Sequence, residues 1–266
     1  MTDDDRTGIG PLVVGVDGSA SAGGAAAWAA ELAAAQQAPV HLVHALPDAA
    51  AAAQRSDWLD ELAGAARSAG AAPVSAETVR GAPAQVLVDR SDSARMLVVG
   101  SYGPGARSGM LAGDLALELV GRAGCPVAVV RGPAPTEQPR RAGPVVAGVD
   151  GSASGRAALL LGAELAVALG TGLVALHARP GGSTAEAAAL LDAERAAVFA
   201  ARPGLDVEWE VADDTPLRPL LDRAGTARLL VVGQRGTAPP LTMQQLGSTS
   251  RALVEFAPCP VVVART

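Results

Sequence analysis

The sequence LVVGSYGPGARSGMLAGDLALELVGRAGCPVAVVR, from Leu97 to Arg131, decides the fold because it returns near the end of the chain. The second copy, from Leu229 to Arg265, reads LLVVGQRGTAPPLTMQQLGSTSRALVEFAPCPVVVAR. Each copy has an apolar β-branched run that ends in glycine, a glycine-spaced loop, a short amphipathic run and a strand that opens with Cys-Pro-Val. This order places a loop beside the start of a helix. Helix starts hold anions, because their first N–H groups lack internal partners and the helix dipole is positive there.

The glycines of the two loops have nearly the same spacing. In the first copy, G-x2-G-x9-G followed by aspartate, they are Gly100, Gly103, Gly113 and then Asp114. In the second copy, G-x2-G-x10-G followed by two hydroxyl residues, they are Gly233, Gly236, Gly247 and then Ser248 and Thr249. Glycine lets phosphate oxygens reach backbone N–H groups, or allows a positive φ. An ordinary strand-to-helix loop would explain one copy, but the repetition favours a phosphate-binding loop.

A second motif, a strand followed by Asp-Gly-Ser, opens both halves as VVGVDGS at 13–19 and VAGVDGS at 146–152. Together the two motifs resemble the universal stress protein family in its tandem, actinobacterial-like form, over nearly the whole chain. Nucleotide-binding members of that family carry G-x2-G-x9-G-[ST] in each domain. The resemblance implies two Rossmann-like domains of the adenine nucleotide alpha hydrolase type, each a five-stranded parallel sheet in the order 3-2-1-4-5. It also implies a ligand crevice at the carboxyl ends of strands 1 and 4.

The repeat also sets the domain organisation. Asp17 and Asp150 are 133 residues apart, and the 266 residues fit two domains at roughly 150 residues each. Between the copies lies a stretch rich in proline and polar residues, GPAPTEQPRRAG at 132–143, which we interpret as a linker. We therefore expect domains at 1–138 and 139–266. Strands that alternate with helices predict a parallel α/β sheet with helices on both faces.

Composition argues against several kinds of partner. All 21 basic residues are arginine, so a G-x4-G-K-[ST] phosphate loop and Schiff-base chemistry lack their lysine. A net charge of −6 and only six aromatic residues argue against a nucleic-acid surface. The longest apolar stretch, Leu159 to Ala178, contains Glu164 and breaks at Gly170 and Gly172, so it predicts helix, turn and strand rather than a membrane span.

The two cysteines favour a reducing compartment. Cys125 and Cys259 occupy equivalent places at the head of an apolar strand, which indicates packing rather than a disulfide or a metal site. The chain opens with the acidic Met1–Asp5 and shows no basic-then-apolar leader. We expect a cytoplasmic protein.

Asp17 and Asp150 end the first strand of each repeat, where ligands of such sheets collect. The resemblance implies that they contact the adenosine part of a nucleotide. The alternative is that they only stabilise the Asp-Gly-Ser turn and the helix start that follows it. Ser19 and Ser152 fit helix N-caps better than ligands.

Several other polar residues have two possible roles each. His44 and His177 end the second strand of each copy, as satisfied core histidines or as titratable site groups. Arg107 and Arg235 could offer a guanidinium to phosphate or be solvated loop charges. No histidine or cysteine spacing suits a metal, and no G-x-S-x-G motif is present.

The two loops differ in the residue that follows the last glycine. Asp114 stands where a hydroxyl would donate to phosphate, and we expect its carboxylate to cap the helix N–H groups and to repel an anion. A bridging Mg²⁺ would reverse that repulsion. The second loop keeps Ser248 and Thr249, although it is one residue longer and contains Pro239 and Pro240. The second domain is therefore predicted to be the better nucleotide site.

The resemblance implies a stress-response regulator that binds an adenine nucleotide, ATP, in at least one domain, with at most slow hydrolysis. A degenerate module that acts through homodimerisation or a protein partner is the alternative. An enzyme on the same scaffold, such as a nucleotide-dependent ligase or transferase, is the third hypothesis.

Overall fold

The computed structural model describes residues 10–47, 57–102, 113–131, 139–181, 183–236 and 246–266. The chain divides into two compact units, Met1–Val130 and Arg131–Thr266, called unit 1 and unit 2 below. In both units parallel strands alternate with helices, as the sequence predicts.

Unit 1 contains one parallel sheet. Its strands are β1 (Leu12–Gly15), β2 (Val40–Leu46), β3 (Val74–Arg80), β4 (Met96–Gly100) and β5 (Val127–Val130). Its helices are α1 (Ala20–Gln36), α2 (Asp57–Ser68), α3 (Pro83–Ser91) and α4 (Asp114–Arg122). The strand order is β3-β2-β1-β4-β5, which confirms the predicted order 3-2-1-4-5. Helices α1 and α2 pack beside each other, as do α3 and α4, so helices cover both faces.

Unit 2 repeats this arrangement. Its strands are β6 (Val145–Val149), β7 (Leu173–Ala178), β8 (Val207–Ala212), β9 (Leu229–Gly233) and β10 (Val261–Ala264). Its helices are α5 (Ala153–Ala168), α6 (Thr184–Ala201), α7 (Leu217–Ala224) and α8 (Ser248–Phe256). The order is β8-β7-β6-β9-β10, again 3-2-1-4-5. The apolar stretch 159–178 is the end of α5, a turn and β7, and no helix in the described ranges is long and apolar enough to cross a bilayer.

The core of unit 1 consists of β-branched and leucine side chains on the central strands and alanine on the helix above them. Leu12 and Val14 of β1 and Val98 of β4 are fully buried. On α1 the facing residues include Ala29 and Ala33, also fully buried. Because alanine is small, α1 can lie close to the sheet, and this closeness shapes the site described below.

Each cysteine is buried and free, at the place that the sequence predicts, just before β5 or β10. Burial raises the pKa of the Cys259 thiol to about 12, from an ordinary value of 9.0. A buried thiol with a raised pKa is a packing residue and a poor nucleophile.

We expect Cys259 to resist iodoacetamide at about pH 9 in the native protein and to react once the chain is denatured, because only the thiolate attacks. The folded pKa lies above the unfolded one, so this thiol contributes stability below about pH 9 and loses that contribution as the pH rises toward 12. Peptide mapping by mass spectrometry checks the labelling. Rapid labelling of the native protein at Cys259 would contradict the burial.

Candidate functional site

The predicted crevice lies where the chain leaves two neighbouring central strands in opposite directions. In unit 1, β1 pairs with β4, and the chain continues from β1 to β2 on one side and from β4 to β5 on the other. In unit 2, β6 and β9 have the same relation. The carboxyl ends of such strand pairs are where ligands of open α/β sheets bind.

In unit 1 the Asp-Gly-Ser motif forms a turn that starts helix α1. Gly18 has φ of 79°, a conformation that favours glycine. The Ser19 N–H donates to Asp17 Oδ1 at 2.9 Å, and the Ala22 N–H donates to Ser19 Oγ at 3.1 Å. Ser19 is therefore an N-cap, as predicted. Asp17 supports the turn while its side chain stays exposed at the crevice, so the structure is compatible with both roles proposed for it.

In unit 2 the equivalent aspartate is more closely held. Asp150 Oδ1 accepts from the Ser152 N–H at 3.0 Å and from the Ser152 hydroxyl at 2.6 Å. Its carboxylate also lies against Gly155 and Gly236, since a Cβ on Gly236 would be 2.8 Å from Asp150 Oδ2. The carboxylate thus stands between the start of α5 and the glycine loop. Ser152 caps α5 by accepting from the Gly155 N–H at 3.0 Å.

The glycine that ends β4 or β9 is required by close packing on the preceding helix. A Cβ on Gly100 would lie 2.8 Å from the carbonyl carbon of Ser21 and would also meet its hydroxyl. A Cβ on Gly233 would lie 2.7 Å from the carbonyl carbon of Ser154. Neither glycine has a positive φ. Close approach of helix and strand is therefore a reason for these two glycines that the sequence did not reveal.

Serines at the start of α1 and α5 tie the glycine loop to the helix. The Tyr102 N–H donates to Ser21 Oγ at 3.4 Å, and the Ser154 hydroxyl donates to the Arg235 carbonyl. Ser21 and Ser154 lie two residues beyond the Asp-Gly-Ser motif and are not part of it. The available signal was that Asp-Gly-Ser-Ala-Ser, and not only Asp-Gly-Ser, occurs in both copies.

The last glycine of each loop is the N-cap of the following helix. The Gly113 N–H donates to the Ser101 carbonyl at 2.8 Å, and the Gly247 N–H donates to the Gln234 carbonyl at 2.9 Å. No side chain among the described residues caps α4 or α8. The expectation that Asp114 caps its own helix is therefore wrong: it is the first residue of α4 and its side chain is exposed. Asp114 lies inside the helix rather than at the N-cap position from which a side chain accepts from the N2 or N3 N–H.

The start of α8 is rich in hydroxyl groups. Ser248 is exposed and Thr249 is partly exposed, whereas Ser250 is buried and donates to the Gly233 carbonyl at 2.7 Å. Ser250 thus ties α8 to the end of β9, and the equivalent position in unit 1 is Ala116. The two outer hydroxyls remain beside the uncapped N–H groups, where they could donate to an anion.

A cavity of about 250 Å³ lies at the predicted crevice of unit 1. Its lining is mostly apolar and includes the site residues Asp17, Gly100 and Gly113. Ser101 also lines it; this residue is 1% exposed, and its hydroxyl has no hydrogen-bond partner. The structure therefore brings three of the predicted residues around one cavity and adds Ser101, which the sequence analysis missed because a serine after a strand is unremarkable.

The two histidines at the ends of β2 and β7 have different surroundings. His177 Nδ1–H donates to the Val149 carbonyl at 2.8 Å, which makes it a satisfied structural residue. His44 packs edge-on against Trp58 at a centroid distance of 5.0 Å, and its buried Nδ1 has no hydrogen-bond partner. Burial lowers the pKa of His44 below its usual value of 6.5, and the Asp17 carboxylate opposes this shift.

We expect Asp17→Asn to lower the pKa of His44 further, because it removes the charge that favours the imidazolium. Since the folded pKa is depressed, the contribution of His44 to stability is complete above about pH 6.5 and is lost as the pH falls through the folded pKa. An NMR titration of the imidazole measures the shift. Asp89→Asn, at an exposed partner of Gln85, is the control and should leave His44 unchanged. If the pKa of His44 were unchanged in Asp17→Asn, the Asp17 carboxylate would not act on the His44 imidazole, which would contradict this prediction.

Several predicted residues lie outside the described part of the chain. They are Gly103, Arg107, Pro239 and Pro240. The described Gly236 lies against the Asp150 carboxylate. No group of three or more potential metal ligands occurs within the described ranges.

Comparison with known proteins identifies relatives of both halves. A sequence model described as the universal stress protein family matches residues 8–131 and again 142–265. Universal stress protein Rv2005c of Mycobacterium tuberculosis is 35% identical over an alignment that covers 96% of this chain and 96% of its own.

Solved structures agree with the fold. A universal stress protein from Archaeoglobus fulgidus covers 96% of this chain and 98% of its own, with a TM-score of 0.68 and 18% identity, a level at which the likeness concerns the fold. Another universal stress protein, solved in complex with cAMP, aligns with 46% of this chain and 96% of its own at 33% identity and a TM-score of 0.39.

Proposed function

The chain belongs to the universal stress protein family, and from this premise we propose that it is a cytoplasmic stress-response regulator that binds an adenine nucleotide in at least one unit. ATP is the nucleotide we propose, with Mg²⁺ as a bridging ion. The cytoplasmic location is supported by two free, buried cysteines, which suit a reducing compartment.

The observation that carries this proposal is that α4 and α8 both begin without a capping side chain, each at the crevice beside the two central strands of its unit. In both units the N–H of the N-cap glycine, Gly113 or Gly247, donates to the carbonyl of a loop residue. The N–H groups of the next residues, Asp114 and Leu115 in α4 or Ser248 and Thr249 in α8, then precede the first intrahelical donors. Such groups favour a phosphate, because the free N–H groups can donate to it and the helix dipole is positive at that end.

We propose that unit 2 is the better ATP site. Ser248 and Thr249 can donate hydrogen bonds to phosphate oxygens, whereas Asp114 in unit 1 can only accept when ionised. The Asp150 carboxylate against Gly236 opposes phosphate binding in unit 2, and Mg²⁺ bound together with the nucleotide would offset that negative charge.

We propose regulation rather than fast catalysis and assign no catalytic residue. Two histidines lie near the crevices. His177 donates to the Val149 backbone carbonyl, and the ring of His44 packs edge-on against Trp58. A general base must lie within hydrogen-bond reach of the proton that it removes.

A second function, docking to a protein partner or a second copy, is supported by exposed aromatic residues of unit 2. Phe199 of α6 is 72% exposed and Phe256 of α8 is 53% exposed. Because α6 packs beside α5 and α8 beside α7, the two side chains lie on different helix layers and would mark two separate contacts rather than one patch.

Mass spectrometry of protein purified under native conditions tests the nucleotide proposal by searching for ATP, ADP or AMP carried with the chain. A thermal shift with millimolar ATP and Mg²⁺ complements it, because a ligand at about 100 times its dissociation constant stabilises by about 2.7 kcal/mol. If no nucleotide is found and no thermal shift is seen, the nucleotide proposal fails and docking to a protein partner or a second copy remains as the proposed function.

We also propose that the domain boundary lies between residues 138 and 139, within the stretch that separates the two family matches. Cleavage after Glu137 is expected to give two halves that fold separately or associate, since each would keep its own core. Circular dichroism of the purified halves checks this. Aggregation of both halves would show that the boundary is misplaced.

A further inference from the structure

We propose that Ser75 is an acyl-acceptor site, a serine whose hydroxyl is activated by His41 and takes a small acyl group from an activated ester. The site lies toward the amino ends of β2 and β3 in unit 1. The proposed nucleotide crevice lies at the opposite edge of the sheet, at the carboxyl ends of β1 and β4. The inference therefore does not depend on nucleotide binding.

A chain of hydrogen bonds joins three side chains on one face of the sheet. His41 on β2 is in register with Ser75 on β3. The Ser75 hydroxyl and His41 Nδ1 are 2.7 Å apart, and His41 Nε2 and Glu77 Oε1 are 2.8 Å apart. An activated serine is recognised by these parts, whatever their order along the chain: a nucleophile, a base within hydrogen-bond reach and a third group that orients the base.

The Glu77 carboxylate decides which ring nitrogen of His41 carries the proton. An ionised carboxylate can only accept, so Nε2–H donates to Glu77 and Nδ1 keeps a lone pair that can accept from the Ser75 hydroxyl. Arg90 on α3 contacts the same carboxylate oxygen at 2.7 Å and helps to hold it in place. The Ser75 hydroxyl lies 3.5 Å from the Val40 carbonyl, so His41 is its nearer acceptor.

Ser75 can be reached from solvent, because it is exposed and β3 is the edge strand of unit 1. The Val40 N–H donates to the Pro73 carbonyl, so the alternation along β3 turns the Ser75 N–H toward β2 and the Ala76 N–H away from it. The Ala76 N–H can donate to the carbonyl oxygen of an acyl group on Ser75, as the residue after the nucleophile does in α/β-hydrolases. An exposed edge suits a small acyl group that needs no deep pocket.

Unit 2 shows which part of this cluster holds the fold together. Glu210 and Arg223 repeat the glutamate–arginine contact of unit 1, with Arg223 Nε donating to Glu210 Oε2 at 2.7 Å. The positions of the histidine and the serine are occupied by Val174 and Glu208, which are also in register. Holding the helix to the edge strand therefore needs the glutamate and the arginine, and the histidine–serine pair is an addition of unit 1.

The acylation needs no reactant besides the ester. Ser75 Oγ attacks the carbonyl carbon of the ester while His41 Nδ1 takes the hydroxyl proton, and the imidazolium that forms faces the Glu77 carboxylate. The bond from the carbonyl carbon to the leaving oxygen then breaks, and His41 returns the proton to that oxygen. The products are an acylated serine and a free alcohol.

The probe p-nitrophenyl acetate tests the proposal on the full chain, with nitrophenolate release followed by absorbance and the acetylated residue found by peptide mapping. No lysine amine competes, because all 21 basic residues are arginine. We expect a burst of about one equivalent. Acetyl should appear on Ser75 about 100-fold faster than on Ser68, an exposed serine whose hydroxyl donates to the Gly64 carbonyl.

Variants assign the roles, with circular dichroism as the check that each one folds. Ser75→Ala should remove the burst, and His41→Gln should slow acetylation of Ser75 to the rate of Ser68. Glu77→Gln should slow it too, and nitrogen NMR of the His41 ring should show a lost preference for the proton on Nε2, because an amide can donate as well as accept. Glu210→Gln, at the equivalent carboxylate of unit 2, is the matched control and should change neither readout.

Acetylation of Ser75 no faster than that of Ser68 would overturn this inference, as would an unchanged rate at Ser75 in a folded His41→Gln variant. An undiminished burst in Ser75→Ala would also overturn it, because His41 itself would then be the nucleophile. None of these results would bear on the nucleotide proposal.

Discussion

Gly100→Val is expected to destabilise unit 1 by about 3 kcal/mol, and Gly233→Val to do the same in unit 2, because each added side chain meets the backbone of the facing helix. The Cβ alone would stand 2.8 Å from the Ser21 carbonyl carbon in one case and 2.7 Å from that of Ser154 in the other. Backbone atoms in the first turn of a helix cannot rotate away as a flexible side chain can. Denaturant unfolding followed by circular dichroism measures the loss.

Gly64→Ala is the matched control for these variants. It adds a Cβ within α2, where nothing lies within 4 Å, and alanine is favoured over glycine inside a helix by roughly 0.5 to 1 kcal/mol. We therefore expect the control to be neutral or stabilising. Wild-type stability in both valine variants would contradict the close packing of the strand ends on α1 and α5.

Ser248→Asp is expected to weaken ATP binding by about tenfold while leaving the fold intact or slightly more stable. The new carboxylate stands beside the uncapped N–H groups of α8 and repels phosphate. The same charge at the first helical position interacts favourably with the helix dipole, by about 0.3 to 1 kcal/mol. Stability and binding should therefore change in opposite directions, which a melting curve and a calorimetric titration on one sample can show.

Ser248→Asn separates charge from shape, because asparagine has nearly the shape of aspartate without its charge. We expect this control to bind ATP far better than Ser248→Asp at low salt, and the difference to shrink as salt screens the repulsion. Equal ATP affinity in the wild type and Ser248→Asp would place the phosphates away from α8.

The strand order was predictable because two kinds of pattern agreed. Apolar β-branched runs alternated with alanine-rich helical stretches twice along the chain, and parallel strands require such crossovers. The family resemblance then supplied the order 3-2-1-4-5, which both units show. The apolar stretch at 159–178 was also read as a helix and a strand, since glycines interrupt it.

The roles of particular site residues were less predictable, because they depend on distances that spacing does not contain. Gly100 was explained by phosphate access, but the structure adds the contact with Ser21, a residue 79 positions earlier. Asp114 was expected to cap α4, whereas the glycine before it is the N-cap. The unpartnered hydroxyl of Ser101 follows from burial on all sides, which only the folded chain displays.

The central claim is that nucleotide binds at the starts of α4 or α8, and amide hydrogen exchange of the full chain with and without ATP and Mg²⁺ tests it most directly. We predict slower exchange at 114–117, at 248–251 or at both, and no change in the turn at 169–172, which precedes β7 at the opposite edge of the sheet. Saturable binding by calorimetry, combined with unchanged exchange at both helix starts, would contradict the claim.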